Sequence, residues 1–257
     1  MSILKKLAKP IVHRLGFDIV RYPAISPKVE RLIQRPFNVL EFIVADFLSR
    51  NRRFFFVQAG ANNGIRWDPL HDLICKHHLA GLLVEPLPDI FDELRKNYAM
   101  EPQLSFEGSA LAEEEGVQSL FRVKLDAPVG DWAQGVASFN KLHVINHLKS
   151  ELEEWEQFIE EVKVPTIPVT TLLQKHSIAE ITLLQIDTEG HDFEILKMFL
   201  SARMFPEVIN FERVNLSFRD QQESRRLLVE NGYRFLDVGI DTLAIRASLS
   251  NPSEPEN

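Results

Sequence analysis

Short apolar runs alternate with helical patterns along most of the chain. The apolar runs predict strands over residues 53–59, 81–85, 104–107, 118–123, 162–169, 181–187, 207–212, 233–238 and 241–246. Apolar side chains at helical spacing predict helices over residues 67–79, 88–98, 151–161, 170–177, 191–203 and 219–231. Strands that alternate with helices form parallel βαβ units, in which helices cover both faces of one sheet. The pattern therefore predicts an α/β fold with a mostly parallel sheet.

The last two strand segments break this alternation. A short turn containing Gly239 and Asp241 separates residues 233–238 from residues 241–246, and no helical pattern lies between them. Two strands joined so closely form an antiparallel hairpin, and mixed sheets commonly carry such a strand. We therefore expect an antiparallel strand at the end of the sheet. We also expect the polar tail, residues 249–257, to be disordered.

A basic N-terminal extension precedes this pattern. Residues 1–53 hold 11 lysines and arginines against 4 acidic residues, whereas residues 54–257 hold 18 against 33. Over residues 2–15, apolar side chains share one helix face and basic side chains the other, although Pro10 falls inside the segment. A helix of this kind packs either on a protein surface or on an anionic membrane, and the sequence leaves both possibilities open.

The pattern divides the chain near residues 52 and 248. Residues 1–52 are a helical extension with a proline-rich linker at 22–36, and residues 37–48 form its second amphipathic helix. The main domain follows, over residues 53–248. Within this domain, residues 124–161 interrupt the alternation of strands and helices and begin with a segment rich in glycine, alanine and proline. This interruption predicts an insertion that acts as a substrate lid.

The composition excludes several classes of protein. Cys75 is the single cysteine, so internal disulfides and zinc sites made of several thiolates are excluded, and a cytoplasmic location is expected. No apolar run reaches the ~18–20 residues that span a bilayer. Lysines interrupt the N-terminal apolar residues that a signal peptide would need. The acidic main domain lacks the basic face that nucleic-acid binding requires.

A glycine-rich turn follows the first strand of the main domain. Gly60, Asn62 and Gly64 lie in it, and glycine lets the backbone bend sharply and approach a ligand. The turn lacks a dinucleotide fingerprint and a P-loop, so an ordinary tight turn is the alternative. Glu85 ends the next strand, where a carboxylate binds ribose hydroxyls or, alternatively, caps a helix. Ser109, past the third strand, contacts an adenine base or is simply a turn residue.

Acidic and imidazole groups follow two later strands. Asp187, Glu189 and His191 come at the end of one strand, and Glu212 ends the next. Open α/β sheets bind ligands at this carboxyl edge, and a carboxylate such as Asp187 is hard to explain by core packing. The alternatives are that His191 begins a helix and that Glu212 pairs with Arg213. The spacing does not match a helical His-Glu-x-x-His motif, so we expect no metal site.

Taken in order, these motifs resemble the FkbM family of S-adenosylmethionine-dependent methyltransferases. The matching residues are Gly60-Ala61-Asn62-x-Gly64, Val84-Glu85-Pro86-x-Pro88 with Phe91, Leu94 and Asn97, Val169-Thr170-Thr171-Leu172, Ile186-Asp187-x-Glu189-Gly190-His191-Asp192 with Ile195 and Leu196, Gly232-Tyr233 and Asp241-Thr242-Leu243-Ala244. The resemblance covers residues 53–246. It implies a Rossmann-like fold with an extra antiparallel strand, and S-adenosyl-L-methionine as the cofactor.

The resemblance also implies roles for individual residues. Gly60 and Gly64 would face the methionine part of the cofactor, and Glu85 would hold its ribose. The family usually has an acid two residues before the first glycine, where this chain has Gln58, which can hydrogen-bond but brings no negative charge. The candidate cofactor residues are thus Gln58, Gly60, Asn62, Gly64, Glu85, Ser109 and Asp187. The implied reaction is methyl transfer, typically to a hydroxyl oxygen of a sugar or polyketide-like acceptor.

Methyl transfer to an alcohol requires a base that takes the hydroxyl proton. Asp187, His191 and Glu212 are the candidates for the base, and Asp187 and Glu189 would position the acceptor. Glycolipids also fit as acceptors, and the basic N-terminal helix favours a membrane-associated one. Two other functions stay open. One is a nicotinamide-dependent oxidoreductase, although no Tyr-x-x-x-Lys pair is evident; the other is a non-catalytic binding module, which Gln58 favours.

Overall fold

The structure is a computed structural model that describes residues 38–50, 52–130, 133 and 135–247. The described residues from Leu40 onward belong to one compact unit. The helix expected over residues 2–15, the linker at 22–36 and the tail at 249–257 lie outside the described residues. Within the described ranges, no helix combines the length and the apolar character needed to cross a membrane.

Eleven strands and seven α-helices run through the described residues. The strands are β1 (Phe55–Ala59), β2 (Ala80–Val84), β3 (Leu104–Glu107), β4 (Ala110–Leu111), β5 (Gly116–Val123), β6 (Ala137–Ser138), β7 (Ile159–Ile167), β8 (Leu183–Ile186), β9 (Val208–Glu212), β10 (Tyr233–Val238) and β11 (Asp241–Arg246). The helices are α1 (Val39–Ser49), α2 (His71–His77), α3 (Pro88–Asn97), α4 (Lys141–Lys149), α5 (Val169–Lys175), α6 (Asp192–Ser201) and α7 (Phe218–Glu230). All nine predicted strands are confirmed, and α1 is the amphipathic helix predicted at residues 37–48.

The larger sheet has seven strands in the order β10-β11-β9-β8-β1-β2-β3. The pairs from β3 through β9 are parallel, whereas β11 is antiparallel to both β9 and β10. The predicted fold class is confirmed: a mostly parallel, Rossmann-like sheet with a terminal antiparallel strand. The strand order reverses between β1 and β8, and sheets of this type bind ligands at the carboxyl ends of the strands beside such a reversal.

The central strands of this sheet are buried on both faces, which explains their continuous apolar runs. Phe56 and Val57 of β1 have no solvent contact, and all of β8 is buried. Three amide side chains interrupt the apolar core, because Gln58, Gln185 and Asn210 occupy paired positions of β1, β8 and β9. The Asn210 Nδ2 donates to the Gln185 Oε1 at 2.9 Å. This polar row lies just below the strand ends that face the ligand edge.

A second sheet has four strands in the order β4-β7-β5-β6. Its longest pair joins β5 and β7 in antiparallel register, from Gly116 opposite Thr166 to Val123 opposite Ile159. The segment predicted as an insertion, residues 124–161, lies between these two strands and contributes β6 and α4. The interruption in the alternating pattern therefore corresponds to one helix and part of a small mixed sheet, in which β4 is parallel to β7.

The helix predicted over residues 151–161 is wrong. After α4 the chain turns, forms one 3-10 turn at Glu156–Phe158 and enters β7. Leu152 and Trp155 are partly buried against an apolar cluster that contains Val144. Packing against one cluster places apolar residues on one side of any backbone, so their spacing alone did not distinguish a helix from a turn followed by a strand.

Candidate active site

A cavity of about 490 Å³ opens at the carboxyl edge of the larger sheet. Its volume is typical of small-molecule sites, which span about 300–1,000 Å³. It lies past the ends of β1, β2, β8 and β9, next to the reversal in strand order. The predicted residues in its wall are Gln58, Gly60, Asn62, Glu85, Asp187, Glu189, His191 and Glu212. The fold therefore brings together most of the candidate residues, although they are far apart in sequence.

Gly60 is required by the closeness of two strand ends. Its φ of +81° lies in the left-handed region, which residues with a Cβ rarely adopt. A Cβ at this position would overlap the backbone carbonyl of Asp187. The amides of Gly60 and Ala61 donate to the Val84 carbonyl at 3.1 and 3.0 Å. The turn thus joins the ends of β1, β2 and β8, and it brings the Gly60 backbone to the cavity.

Glu85 is a buried carboxylate that orders two chain segments. Its Oε2 accepts the N–H of Asn62 in the glycine turn at 3.0 Å, and its Oε1 accepts the N–H of Leu87, before α3, at 2.9 Å. Burial raises the pKa of Glu85 to about 7, although these two hydrogen bonds oppose the increase. A carboxylate offers about four acceptor positions, so two more can accept ribose hydroxyls in the cavity. Glu85 thus keeps acceptor positions for a ribose, whereas the N-cap of α3 is Leu87 and no side chain caps this helix.

Glu85→Gln is expected to flatten the pH dependence of protein stability between about pH 5 and pH 7. In this range the unfolded chain has lost the Glu85 proton while the folded protein still holds it, so the free energy of unfolding falls as pH rises. The difference in pKa corresponds to about 3 kcal/mol over the whole range. Urea unfolding of both proteins in steps of pH measures the two slopes.

Glu107→Gln is the matched control for this change. Glu107 ends the neighbouring strand β3 and is as buried as Glu85. Burial raises its pKa, but hydrogen bonds from Lys175 and His176 outweigh this effect, and its pKa is lowered overall. Its contribution to stability is lost as pH falls, so removing it must change the slope in the opposite direction. A Glu85→Gln variant with the wild-type slope would contradict the raised pKa of Glu85.

Gln58 is buried beside the cavity and hydrogen-bonds to Asp68, which was not among the residues predicted from the sequence. The Gln58 Nε2 donates to the Asp68 Oδ1 at 3.1 Å, and the Gln58 Oε1 is buried without a hydrogen-bond partner. Asp68 borders the same cavity, and burial raises the pKa of its carboxyl to about 6. It also accepts the Leu70 N–H at 2.8 Å, just before α2. Asp68 thus places an acidic group beside Gln58, which has no charge of its own. The position of Asp68 just before Pro69 and a helix was the feature of the sequence that could have identified it.

Gly64 and Ser109, two further candidate cofactor residues, do not line this cavity. A Cβ at Gly64 would overlap the ring of Tyr98 and the side chain of Leu94, so its glycine is explained by packing against α3. Ser109 hydrogen-bonds to Glu107 at the end of β3.

Two carboxyl groups on neighbouring strand ends share one amide. The Asn215 Nδ2 donates to the Glu189 Oε2 at 3.0 Å and to the Glu212 Oε2 at 2.6 Å. Burial, followed by repulsion from Asp187 and Glu189, raises the pKa of Glu212 to about 8. Asn215 also borders the cavity, and the sequence analysis missed it because it lies in a loop after β9. Asn215 therefore links the two carboxyl groups at this edge.

Asp187 differs from its two neighbours because no described residue hydrogen-bonds to its carboxylate. The side chain is exposed to the cavity, although protein surrounds it on most sides. Burial, followed by the charges of Asp192 and Glu189, raises the pKa of Asp187 well above its ordinary value of 3.8. An acid in such surroundings favours a cationic ligand, because a nearby positive charge stabilises the carboxylate.

His191 is packed into the wall beside these acids. It precedes α6 at the N-cap position, as the alternative interpretation from the sequence expected. Its ring meets Phe139 edge-on, with 5.2 Å between centroids, and its Nε2 is buried without a partner. Burial lowers the pKa of His191, so the ring is neutral near pH 7. His191 therefore both borders the cavity and precedes the first residue of α6.

Two histidines of α4 were missed by the sequence analysis. The His143 Nε2 lies 3.0 Å from the Glu189 Oε2 and 3.2 Å from the His147 Nε2. Burial, followed by the neighbouring His143, lowers the pKa of His147, which borders the cavity. The signal in the sequence was the His-x-x-x-His spacing after Asn140, whose Oδ1 caps the helix by accepting the Leu142 N–H at 3.0 Å. It was overlooked because no helix was predicted there.

A family model matches most of the chain. The model, described as the methyltransferase FkbM domain, matches residues 58–235. This range contains the glycine turn, Glu85, the acidic residues of the cavity and both histidines of α4. Comparison with curated proteins gives no match.

Several solved structures resemble this one. A methyltransferase FkbM from Methylobacillus flagellatus KT has 15% identity and a TM-score of 0.48, with 82% of this chain and 48% of that chain covered, so this chain spans about half its length. SAH-bound PaMTH1, a methyltransferase of Podospora anserina, has 8% identity and a TM-score of 0.44, with 89% and 99% covered. An O-methyltransferase from Bacillus cereus in complex with SAH has 9% identity and a TM-score of 0.38, with 96% and 92% covered. The fold rests on the strand order observed here rather than on these similarities.

Proposed function

The chain belongs to the methyltransferase FkbM domain family, and we propose that it is an S-adenosylmethionine-dependent O-methyltransferase. The observation that carries the proposal is the convergence of the glycine turn, Glu85 and Asp187 on one cavity. The cofactor supplies a methyl group bound to a positively charged sulfur. The proposed acceptor is a hydroxyl group of a sugar, a glycolipid or a polyketide-like molecule.

The cavity wall fits a cationic cofactor that carries an amino-acid group. Asp68 and Asp187 provide negative charge for a sulfonium and an ammonium group. The Gln58 Oε1 and the Arg66 Nη1 are buried without partners in residues that border the cavity. An ammonium group satisfies the first and a carboxylate satisfies the second, which removes the cost of an unpaired buried polar atom. Glu85 is the residue that would hold the ribose.

Asp187 is the residue that we assign as the base. Its carboxylate faces the cavity without a hydrogen-bond partner among the described residues, whereas Glu212 is held by Asn215. The Nε2 of His191 is buried behind the wall. As the acceptor oxygen takes the methyl group, its proton passes to the Asp187 carboxylate and then to solvent through the cavity mouth. The rest of the wall contributes by aligning the two reacting atoms.

The rim of the cavity indicates an acceptor with an apolar part. Trp67, Val214 and Ile240 border the cavity and are 81%, 47% and 57% exposed. Trp67 has a φ of +55°, an unfavourable backbone conformation of the kind that persists at functional sites. An apolar rim supports a glycolipid or a polyketide-like acceptor over a free sugar. If radiolabelled methyl groups from the cofactor entered only water-soluble acceptors of a cell extract, this choice would be wrong.

Calorimetric titration with S-adenosylhomocysteine tests the proposed function. We expect one-to-one binding in the micromolar range for the full chain. Arg66→Gln is expected to weaken this binding, because it removes the buried donor available for a carboxylate. Arg52→Gln serves as the control, since Arg52 pairs with Glu207 at 2.6 Å and does not border the cavity.

The same titration separates the two rival functions. Binding of NADH without binding of S-adenosylhomocysteine would indicate the nicotinamide-dependent oxidoreductase. Absence of binding for both ligands up to millimolar concentration would indicate a non-catalytic module. In that case Asp68 does not compensate for Gln58, and the negative charge of the wall serves another ligand.

A further inference from the structure

We propose that His143, His147 and Glu189 form a binding site for a divalent transition-metal ion at the acceptor side of the cavity. The metal site rests on the geometry of these three side chains. Its role, to hold the hydroxyl group of the acceptor, rests on the proposed function. The sequence predicts no metal at Asp187, Glu189 and His191, and the site proposed here shares only Glu189 with that group.

The distances among the three side chains match those of ligands around one ion. One potential ligand atom from each residue lies within 4.8 Å of the other two. The two closest pairs, both at the His143 Nε2, are 3.0 Å and 3.2 Å apart. Bond lengths of about 2.1 Å and angles between 90° and 110° place neighbouring ligand atoms about 2.9–3.4 Å apart. Two of the three pairs therefore already have the spacing of neighbouring ligands around one ion, and the third pair lies within 4.8 Å.

Ordinary hydrogen bonding does not account for the two short contacts of the His143 Nε2. The His143 Nε2 has one position in the plane of its ring, which holds either a proton or a lone pair. That position is shared by two neighbours, the Glu189 carboxylate and the His147 Nε2. One proton directed at two acceptors satisfies neither fully, and one lone pair cannot accept two good hydrogen bonds. A cation resolves the conflict because it accepts electron pairs from all three atoms.

The surrounding structure holds the three side chains in place. His143 and His147 are four residues apart on α4, so they share one helix face. The Ser138 hydroxyl donates to the Glu189 carbonyl at 2.9 Å, and the Asn215 amide donates to the Glu189 carboxylate. Glu189 has a φ of +51°, which costs energy and is kept where neighbouring structure determines it. Partners of this kind orient ligands in known metal sites.

The kind of atom in the site selects the kind of ion. Two imidazole nitrogens and one carboxylate oxygen suit Zn²⁺ and similar transition metals, whereas Mg²⁺ prefers oxygen ligands alone. Three protein ligands leave coordination positions free, as in catalytic zinc sites. His147 and Glu189 border the cavity, so free positions on this side face the space for the acceptor.

A metal ion here would give the acceptor a defined position next to Asp187. A hydroxyl oxygen bound to the ion loses its proton more readily, because the ion stabilises the negative charge that develops on oxygen. The proton still passes to the Asp187 carboxylate, two residues from Glu189.

Zn²⁺ titration of the full chain, after dialysis against EDTA, tests the site. We expect the wild-type protein to bind one Zn²⁺ ion and to bind Mg²⁺ far more weakly. His143→Gln and Glu189→Gln are each expected to weaken Zn²⁺ binding by about 100-fold or more. Wild-type protein without one-to-one Zn²⁺ binding, or variants with wild-type affinity, would overturn the proposal.

His176→Gln is a closely matched control. The His176 Nε2 lies 3.0 Å from the Glu107 Oε2, the same distance as in the pair of His143 with Glu189, and both histidine side chains are 14% exposed. Among the residues that the structure describes, His176 belongs to no group of three potential metal ligands, so its variant should bind Zn²⁺ as the wild type does. If a variant fails to fold, X-ray absorption of Zn²⁺-loaded wild type decides: scattering from imidazole is expected, and its absence contradicts the site.

The metal site and the proposed function fail in different experiments. Zn²⁺ binding needs neither cofactor nor acceptor, and binding of S-adenosylhomocysteine is measured on the metal-free protein. Cofactor binding without Zn²⁺ binding overturns the metal site alone. Zn²⁺ binding without cofactor binding overturns the transferase and leaves the metal site in place. Equal turnover of metal-free and Zn²⁺-loaded enzyme would overturn the role of the ion in holding the acceptor.

Discussion

Gly60→Ala is expected to lower the free energy of unfolding by about 3–5 kcal/mol and to abolish binding of S-adenosylhomocysteine. The new methyl group would overlap the backbone carbonyl of Asp187, at a φ of +81° that alanine adopts only with strain. The ends of β1 and β8 must then separate, and this changes the cavity edge itself. Urea unfolding and calorimetry below the unfolding midpoint measure the two effects.

Gly232→Ala separates the cost of steric overlap at the new Cβ from the cost of the positive φ. Gly232 has the same φ of +81°, but nothing lies within 4 Å of the position that its Cβ would occupy. We expect this variant to lose only about 1–2 kcal/mol, the cost of the positive φ, and to bind S-adenosylhomocysteine normally. Equal losses of stability in the two variants would mean that the close approach to Asp187 is not what requires glycine at residue 60.

The strands could be predicted because the pattern of burial is local to each strand. A central parallel strand such as β8 is covered on both faces, so it appears in the sequence as a continuous apolar run. The hairpin of β10 and β11 was recognisable from its short turn. The pairing of β1 with β8 joins residues more than 120 positions apart, and no local pattern carries that information.

The segment between β5 and β7 was harder to predict because its packing is shared with a small second sheet. Leu152 and Trp155 have helical spacing but pack in a turn, while α4 has a weaker apolar stripe and was missed. Because α4 was not predicted, the four-residue spacing of His143 and His147 could not be assigned to one helix face. The two imidazoles beside Glu189 were therefore not predicted from the sequence.

The candidate site was predictable where its residues end strands. Glu85 and Asp187 were identified because the carboxyl ends of parallel strands form one edge, and both border the cavity. Asp68 and Asn215 were missed because they reach the cavity from loops, whose course depends on tertiary packing. Asp68 is the more important of the two for the proposed cofactor site, because its carboxyl hydrogen-bonds to Gln58, at the position where the family usually has an acid.

Asp187→Asn is expected to lower turnover at saturating acceptor by about 10²–10⁴-fold, the usual contribution of a base. The amide cannot take the hydroxyl proton, yet it has nearly the same shape, so binding of S-adenosylhomocysteine, whose sulfur carries no charge, should stay close to the wild-type value. Stability should increase, because the change removes a carboxyl that is repelled by Asp192 and Glu189. Incorporation of radiolabelled methyl groups into the acceptor, calorimetry and urea unfolding measure the three quantities.

Asp241→Asn is the control that separates proton transfer from the general electrostatics of the cavity. Asp241 repels Asp187 and has a raised pKa, mainly through burial, but it does not border the cavity. Its variant removes a nearby negative charge without touching the acceptor, so turnover should change little. Near-normal turnover in Asp187→Asn would exclude Asp187 as the base, and a similar loss in both variants would mean that the total charge of the cavity matters more than any single carboxylate. A large loss in Asp187→Asn alone, with cofactor binding intact, is the result expected if Asp187 accepts the proton.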